Sequence, residues 1–463
     1  MQKMKNGKKV LSVCLSLAMA AGMLSTSAFA SWNVYGGSNN HNAVVTEAPT
    51  APDKSGLDSY IQLHCTGSGW DGVDNVPVLQ TVNGTTYAYV LYDGYGASGA
   101  LVAKIRCAEN GGSSIVWTTD PYGTEGTSLN AKSGFQLSTP YLDDNGTPND
   151  ASDDTLYVGT ISQYDDYEGG EWLTGTGSKV MALTGLDQNK PTVTNVLTGI
   201  NGQINTPITT DGTYLYFGTW PGGSNAGTYY QVKLSDYSVK TFTPDSYGFY
   251  WAGAVSDGTN VYFGSDNGLL YWRSIADFDT TGGVLDLTDV ASDAGNVRST
   301  VMMDEDGFLY FTTQGGYLWC CFYDGGLKVY WNAKLGATST STPTKVGDRI
   351  YVGYYSGFNA GGVQCVTVSF DEEENVVTSV APVASGFPVQ GSIVVMGDGT
   401  GTDYLYFNTN AQKGAGYCYS YDGTTGSKVW GTTGDTYALG GMAIDNGYAV
   451  FGNDYNHLYV VHN

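Results

Sequence analysis

The feature that most constrains this chain is a short segment repeated eight times: an Asp-Gly type of turn, then an aromatic and aliphatic strand that ends in Gly or Asn. The clearest copies are 211–219 and 257–265. A unit of this kind buries its apolar faces only against neighbouring copies. The repeat therefore determines the architecture and leaves the function open.

Four strands can be recognised in most units. Short aromatic and β-branched runs lie between clusters of Gly, Asp, Asn and Ser, which is the pattern of strands and hairpins. A first strand precedes the turn, a third follows it, as at 268–272, and a fourth leads into Trp, as at 427–430. No segment after residue 30 shows a convincing helical period. The pattern predicts an all-β, eight-bladed β-propeller with four-stranded antiparallel blades.

The eighth unit supplies only three strands before the chain stops at Asn463. We expect the start of the mature chain, Trp32 to Tyr35, to add the missing outer strand and so close the ring. The alternative is a free N-terminal tail beside an incomplete blade. That arrangement leaves an open strand edge at 458–461, which proteins usually avoid.

The first thirty residues have the layout of a secretory signal peptide. Four Lys precede an apolar stretch from Val10 to Leu24, and Ala28-Phe29-Ala30 forms a small-x-small cleavage site. The apolar stretch is shorter than the ~20 residues of a spanning helix, so we expect no membrane insertion. The predicted domains are a signal peptide over 1–30 and a secreted or cell-surface propeller over 31–463.

The chain is strongly acidic, with 44 Asp and Glu against 20 Lys and Arg and a formal net charge of −24. Such a charge repels phosphate backbones, so we expect no nucleic-acid binding. A solvated acidic surface that keeps an exported protein soluble explains the charge, and we expect a monomer.

The turn between the third and fourth strands identifies a family. Residues 420–430 read small residue, x, Asp, two residues, Thr-Gly, three residues, Trp, with Asp422, Gly426 and Trp430 at the key positions. This segment resembles the tryptophan-docking repeat of quinoprotein-type (PQQ-like) propellers, and a weaker copy ends at Trp117. The resemblance covers 31–463 and implies a tight Asp turn with a Trp packed between neighbouring sheets. The family includes domains that hold no quinone.

The resemblance also raises the question of quinone chemistry. Quinoprotein alcohol dehydrogenases hold pyrroloquinoline quinone and calcium in the central funnel, with an Asp base and often a disulfide between adjacent Cys. Cys320 and Cys321 are adjacent, but they fall in third-strand sequence, and no base and calcium set can be assigned. Because a shared fold does not carry a shared site, we expect no quinone and no enzymatic activity, and a quinone-dependent oxidoreductase is the least favoured function.

One acidic hairpin offers several hard oxygen ligands, which calcium prefers. Its candidate ligands are Asp143, Asn145, Asp150, Ser152 and Asp154. The twelve-residue calcium-loop pattern fails, because Thr155 stands where the turn Gly belongs. A solvated acidic hairpin is the alternative to a calcium site.

The central funnel is the remaining candidate site. In propellers, residues just before and within the first strands point to the central channel. The candidates are Gln136, Asn205, Trp251, Arg298, Ser341 and Gln390. Arg298 is one of only four Arg; it is suited to orient a carboxylate or a sugar acid, and the alternative is an ion pair with a neighbouring Asp.

Catalytic motifs are not apparent: the four His form no metal-ligand spacing, and no Gly-x-Ser-x-Gly segment occurs. We therefore predict a non-catalytic module that binds or scaffolds a protein at the cell surface, by analogy with assembly-factor propellers of similar fold. Recognition of extracellular glycans through a Tyr-rich rim is the alternative.

Overall fold

The computed structural model describes residues 31–66, 72–94, 99–120, 126–131, 138–161, 164–168, 171–174 and 176–463. The predicted signal peptide lies outside these ranges. The helical segments within them are short: Tyr35–Gly37, Lys54–Leu57 and Leu287–Asp289. None of the helices in the described ranges combines the length and the apolar character needed to cross a bilayer.

Eight blades of four antiparallel strands follow one another along the chain, which confirms the predicted eight-bladed all-β fold. The sheet of blade seven has a fifth strand, Val44–Val45. The first strands, which line the axis, are Val78–Val82, Tyr141–Asp143, Thr209–Thr210, Val255–Ser256, Met302–Met303, Thr344–Val346, Val394–Met396 and Ala443–Asp445. The second strands are Thr85–Asp93, Thr155–Thr160, Tyr214–Gly218, Asn260–Gly264, Leu309–Thr313, Arg349–Ser356, Asp403–Asn408 and Tyr448–Gly452.

The outer half of each blade is formed by its third and fourth strands, paired antiparallel. The third strands are Ala100–Arg106, Thr176–Thr184, Tyr229–Lys233, Leu269–Ser274, Tyr317–Tyr323, Ala360–Phe370, Gly416–Tyr421 and His457–Val461. The fourth strands are Ser114–Thr118, Thr192–Asn201, Val239–Phe242, Gly282–Asp286, Leu327–Lys334, Val376–Ser385, Gly426–Gly431 and, for blade eight, Ile61–Gln62. Blade two carries an extra hairpin, Tyr164–Glu168 with Glu171–Thr174.

The geometry of the first hairpin explains the repeated Asp-Gly segment. The Asp211 carboxylate accepts hydrogen bonds from the backbone N–H groups of Thr213 and Tyr214, both at 2.8 Å, and Gly212 has a φ of +84°. The hydroxyl of Tyr216 donates to the other carboxylate oxygen at 2.8 Å. Asp, Gly and Tyr thus recur because each satisfies or permits one part of the same tight turn.

The Trp of the docking motif lies between blades seven and eight. The Trp430 side chain is 5% exposed, its ring centre lies 6.0 Å from that of Tyr406, and its indole N–H donates to the Pro49 carbonyl at 2.7 Å. Asp422 accepts from the backbone N–H groups of Thr424 and Thr425 at 2.8 Å, and these bonds lower the pKa of its carboxyl to about 2.

Two further residues of the docking segments, Gly426 and Trp117, each pack closely against a neighbouring blade. A Cβ on Gly426 would lie 1.8 Å from the Val383 carbonyl oxygen, so the neighbouring blade leaves room for glycine alone. Trp117 is 4% exposed and packs in the core cluster that joins blades one and two. Both positions therefore lie at contacts between blades.

The ring closes through the N-terminal part of the chain, but the predicted closing strand is wrong. The outer strand of blade eight is Ile61–Gln62, which pairs antiparallel with His457 and Leu458. Trp32 and Val34 are instead almost fully buried, and the Trp32 carbonyl accepts from the Leu79 N–H of the first strand of blade one at 2.8 Å. Trp32 packs in the core cluster formed by blades seven, eight and one, and Val34 in the cluster formed by blades two and three.

The segment 31–45, hereafter the plug, continues across the lower end of the channel. Its backbone accepts hydrogen bonds from the first strands of blades one, two, five and seven, through Leu79, Leu142, Met303 and Val395. Within the plug, Val44–Val45 also pairs in parallel with the first strand of blade seven. The plug thereby closes one end of the channel, and the other end, where the first strands begin, remains a funnel.

The funnel at the upper face as the candidate functional site

The funnel opens on the upper face, defined as the end of the ring at which the first strands begin. It has a volume of about 480 Å³, which includes the solvent at its mouth. Tyr35 of the plug is among its lining residues, and its hydroxyl donates to Thr342 Oγ1 at 3.0 Å. The lining residues are Tyr35, Asp74, Asn75, Val76, Thr139, Asn205, Pro207, Trp251, Arg298, Thr300, Thr340, Gln390, Gly391, Leu439, Gly440 and Gly441.

Hydroxyl side chains tie the funnel wall together from blade to blade. Thr139 Oγ1 accepts from the Val76 N–H at 3.1 Å, and Thr300 Oγ1 accepts from the Gly253 N–H at 3.2 Å. A Cβ on Gly253 would lie 2.6 Å from the Pro207 ring, so adjacent blades approach closely here. The hydroxyl residue that precedes many first strands thus holds the backbone of the blade beside it.

Arg298 is held in an ion pair rather than left free for a ligand. Its Nε and Nη2 donate to the two carboxylate oxygens of Asp266 at 2.7 and 2.6 Å, and its guanidinium lies 4.3 Å from the centre of the Tyr250 ring. Burial raises the pKa of Asp266, and the Arg298 hydrogen bonds and charge oppose that rise. The ion pair named as the alternative is therefore present. Arg298 is the single cation among the described lining residues, and its charge is compensated.

Asn205 is the least satisfied polar group of the funnel. Its side chain is 2% exposed, and neither its Nδ2 nor its Oδ1 forms a hydrogen bond with any residue that the structure describes. Asn75 is similar in part: its Nδ2 donates to the Leu91 carbonyl at 2.7 Å, whereas its Oδ1 has no partner in the described ranges. Two buried amides thus present unused hydrogen-bonding atoms at the funnel.

Trp251 provides an aromatic surface in an unusual backbone conformation. Its φ is +60°, which is rare for a bulky residue and costs of order 1–3 kcal/mol. The carbonyl of Trp251 accepts from the Gly253 N–H at 2.9 Å, and its ring centre lies 4.7 Å from that of Tyr250. Strain of this kind is often found at functional sites, where surrounding contacts hold it in place.

Of the three remaining predicted funnel residues, the structure places one, Gln390, in the funnel lining. Its Oε1 accepts from the amide of Asn410. Ser341 does not line it: the side chain is fully buried, and the preceding residue, Thr340, lines the funnel instead. The prediction for Ser341 is wrong by one residue because successive side chains of an extended chain point to opposite sides. Gln136 lies outside the described residues.

Asn75 is not among the predicted funnel residues, although the sequence contains a signal for it. It stands two residues before Pro77, as Asn205 stands two residues before Pro207. This Asn-x-Pro spacing at the start of two first strands places both amides at the funnel. The sequence predicts Tyr35 in the strand that closes the ring, and its position in the funnel follows only from the path of the plug.

The acidic hairpin of blade two has many internal hydrogen bonds. Asp150 accepts from the N–H and hydroxyl of Ser152, and Asn145 donates to the Asp153 carbonyl. Asp154 is fully buried and accepts from Gln80, and burial raises the pKa of its carboxyl to about 6. In the described ranges no three His, Cys, Asp or Glu side chains form a metal-binding group, so calcium at Asp143 to Asp154 stays a prediction.

The described lining of the funnel does not fit the quinone of the family's dehydrogenases. Such a cofactor carries carboxylates, whereas the described lining offers one cation already paired with Asp266 and adds the carboxyl of Asp74. Cys320 and Cys321 are fully buried within the third strand of blade five and belong to two different core clusters. They are free thiols and lie outside the funnel lining.

Comparisons with known proteins support the fold alone. No family model matches the chain, and no curated protein matches its sequence. A europium-containing methanol dehydrogenase is similar at a TM-score of 0.54 and 12% identity, over 93% of this chain and 89% of that one. The quinohemoprotein alcohol dehydrogenase of Comamonas testosteroni gives 0.53 and 11%, over 95% and 80%. BamB of Moraxella catarrhalis gives 0.50 and 12%, over 88% and 97%. The chain therefore has the fold of quinoprotein-type propellers, as its docking repeat predicted.

Proposed function

We propose that the protein is a secreted, non-catalytic propeller that binds a protein partner through its upper face. The signal-peptide layout of residues 1–30 supports secretion. The fold shared with quinoprotein-type propellers is compatible with binding as well as with catalysis, so the choice between them depends on the chemistry of the upper face.

One observation supports the proposal most strongly: large apolar side chains are exposed in the segments that form the upper face. Phe358 and Tyr455 lie in the second-to-third-strand hairpins of blades six and eight, and Tyr247 and Val290 lie in connections between blades. Their exposed fractions range from 37% to 57%. Aromatic side chains such as Phe358, Tyr247 and Tyr455 are enriched at protein interfaces, and all four residues lie in segments that connect strands at the upper end of the ring.

The polar chemistry of the funnel favours binding over catalysis. Its described lining consists mainly of amides, hydroxyls and backbone, with one paired Arg, the Asp74 carboxyl and no His, Cys or Lys. Acid–base or nucleophilic catalysis usually joins a titratable group to a second group that positions and activates it. The thiols of Cys107 and Cys418 are buried, and burial raises the pKa of each to about 12. Such thiols are inert near neutral pH.

A pull-down tests the proposal. The mature chain, 31–463, is immobilised and exposed to a cell-envelope extract of the producing organism, and retained proteins are identified by mass spectrometry. We expect wild type to retain a protein that Phe358→Asp and Tyr455→Asp lose, because a buried unpaired charge at an interface is costly.

Tyr237→Asp is the matched control, since Tyr237 is equally an exposed Tyr but lies in the third-to-fourth-strand hairpin of blade three, on the lower face. It should retain the same protein as wild type. Equal retention by all four proteins, or retention of nothing by wild type, contradicts the proposal.

Glycan binding is the second candidate function, and the specific observation in its favour is the pair of unsatisfied amides in the funnel. A glycan array with wild type and Trp251→Ala separates the two candidates. Binding of an extended glycan that Trp251→Ala and Tyr455→Asp both abolish would replace the protein partner by a glycan at the upper face.

A further inference from the structure

We propose that the funnel is a binding site for one neutral saccharide unit of the hexopyranose type, with Asn205 and Asn75 as its hydrogen-bonding residues and Trp251 as its ring platform. This site is separate from the apolar residues on the upper face, so it does not depend on the identity of a protein partner. Four features of the funnel support the proposal.

The first feature is the state of the two amides. A buried polar group without a partner costs about 1–3 kcal/mol, and native proteins contain few of them. Asn205 leaves both amide atoms without a described partner and Asn75 leaves its Oδ1, and both residues line the same funnel. A ligand hydroxyl that reaches such an atom supplies the hydrogen bond that the described part of the fold does not.

The second feature is the charge of the lining, which selects against ionic ligands. An anionic ligand needs an uncompensated cation, but Arg298 is bound by both carboxylate oxygens of Asp266. A carboxylate or phosphate ligand would therefore find no uncompensated cation among the described lining residues, in a chain whose net charge is −24.

The third feature is the chemistry of the neutral lining groups. Asn75, Asn205 and Gln390 carry amides, and Thr139 and Thr300 carry hydroxyls. An amide offers a donor and an acceptor side by side, and a hydroxyl offers both on one atom. Neighbouring hydroxyls of a sugar ring present the same combination, so each can donate and accept at once.

The fourth feature is the shape of the site. Trp251 supplies an apolar face held by a strained backbone beside Tyr250, and a sugar ring has an apolar face of C–H groups that suits such a platform. Tyr35 of the plug lines the funnel and the plug closes the channel below it, so a ligand cannot pass through the ring. The funnel therefore fits a single or terminal saccharide unit rather than the middle of a chain.

The test measures binding of three probes to the mature chain by saturation-transfer NMR and isothermal titration: methyl β-D-glucopyranoside, methyl β-D-galactopyranoside and D-glucuronate, each at about 10 mM, well above a weak dissociation constant of about 1 mM. We expect at least one of the two neutral glycosides to bind. D-Glucuronate should bind more weakly than the neutral probe that binds, because the one cation of the described lining, Arg298, is already paired with Asp266.

Variants test the assigned residues. Asn205→Leu should weaken binding of that neutral probe about tenfold or more, the size expected when one good set of hydrogen bonds is lost. Asn39→Leu is the control, since Asn39 is an exposed Asn of the plug on the lower side. If Asn205→Leu does not fold, Asn205→Ser, which shortens the side chain and stays polar, takes its place.

The proposal is overturned if neither neutral probe binds to folded wild type, if the folded Asn205 variant binds as tightly as wild type, or if D-glucuronate binds more tightly than both neutral probes. The last result would assign the funnel to carboxylates through Arg298. Loss of the protein partner in Phe358→Asp with unchanged sugar binding would concern the proposed function alone, so the two failures can be told apart.

Discussion

Each end of the axial channel contains an Asn, and the two differ in whether the side-chain amide is hydrogen-bonded. At the lower end, Asn42 of the plug donates from Nδ2 to the Lys345 carbonyl at 2.9 Å, and its Oδ1 accepts from the Lys345 N–H at 2.8 Å. At the upper end, Asn205 is more deeply buried, yet both of its amide atoms lack a partner in the described ranges. The Asn42 amide joins the plug to blade six, whereas the Asn205 amide forms no hydrogen bond within the described ranges.

The difference shows how structural and binding roles can be distinguished in a repeat protein. A polar group that serves the fold is paired with the fold, because folding itself must compensate for its lost hydration. A group that serves a ligand is left unpaired, at a cost in stability that natural proteins tolerate at functional sites. Substitutions at the plug should therefore reduce stability, whereas substitutions at the funnel should reduce binding.

The largest expected loss of stability is at Trp430, whose indole N–H binds the Pro49 carbonyl just after the plug. Trp430→Ala removes a buried ring between blades and the hydrogen bond to Pro49, so the free energy of unfolding should fall by ~3–5 kcal/mol. Chemical denaturation measures the change. Val429→Ala, at the exposed neighbouring residue, should change it by less than about 0.5 kcal/mol. Equal effects of the two substitutions would show that Trp430 does not fasten the blades.

The ion pair of the funnel wall gives the next effect. Asp266→Asn leaves the largely buried Arg298 without its counter-charge, and the free energy of unfolding should fall by about 3 kcal/mol, the lower end for a broken buried pair. The double variant Asp266→Asn with Arg298→Met should recover most of the loss, since no charge is then buried. A double variant less stable than Asp266→Asn alone would mean that Arg298 stabilises the fold by itself.

The next effect concerns Asp154, a buried carboxyl outside the funnel whose Oδ1 has no hydrogen-bond partner in the described ranges. Its pKa is raised from 3.8 to about 6, chiefly by burial, so the folded chain binds a proton more tightly than the unfolded chain does. Its contribution favours folding below about pH 4 and is lost as the pH rises through about 6. Asp154→Asn should therefore raise the free energy of unfolding by about 1–2 kcal/mol at pH 7 relative to wild type and have little effect at pH 4.

Denaturation curves of wild type and Asp154→Asn at pH 4, 5, 6 and 7 check this prediction. A difference between the two proteins that stays constant over this range would contradict the raised pKa. Gln80, which donates to Asp154, can donate equally to an Asn carbonyl, so the hydrogen bond itself is preserved.

Most of the fold could be predicted because its determinants are local. The Asp-Gly turn, with Asp211, Gly212 and Tyr216 in contact within six residues, repeats in a form that the sequence displays directly. The path of the N-terminal segment could not be predicted in the same way. A short apolar run such as Trp32 to Tyr35 suits an outer strand and a channel plug equally well, and the true closing strand pairs through only two residues, Ile61 and Gln62.

The candidate site was predictable in position but not in detail. Asn205, Trp251, Arg298 and Gln390 line the funnel because they precede first strands. Whether a polar group there is paired depends on residues distant in sequence, such as Asp266 for Arg298, and no local pattern indicates it. The same limit applies to Ser341, since a shift of one residue turns its side chain away from the axis.

The smallest change in stability is expected for Asn205→Leu, and its comparison with Asn42→Leu is the most direct test of the account. Chemical denaturation at pH 7 measures the free energy of unfolding of both variants. Asn42→Leu leaves the Lys345 N–H and carbonyl without partners and should lose about 2 kcal/mol. Asn205→Leu, which removes an already unpaired amide, should lose less than about 0.5 kcal/mol or gain stability. A loss at Asn205 as large as that at Asn42 would show that the amide serves the fold, and the funnel would no longer stand out as the binding end of the channel.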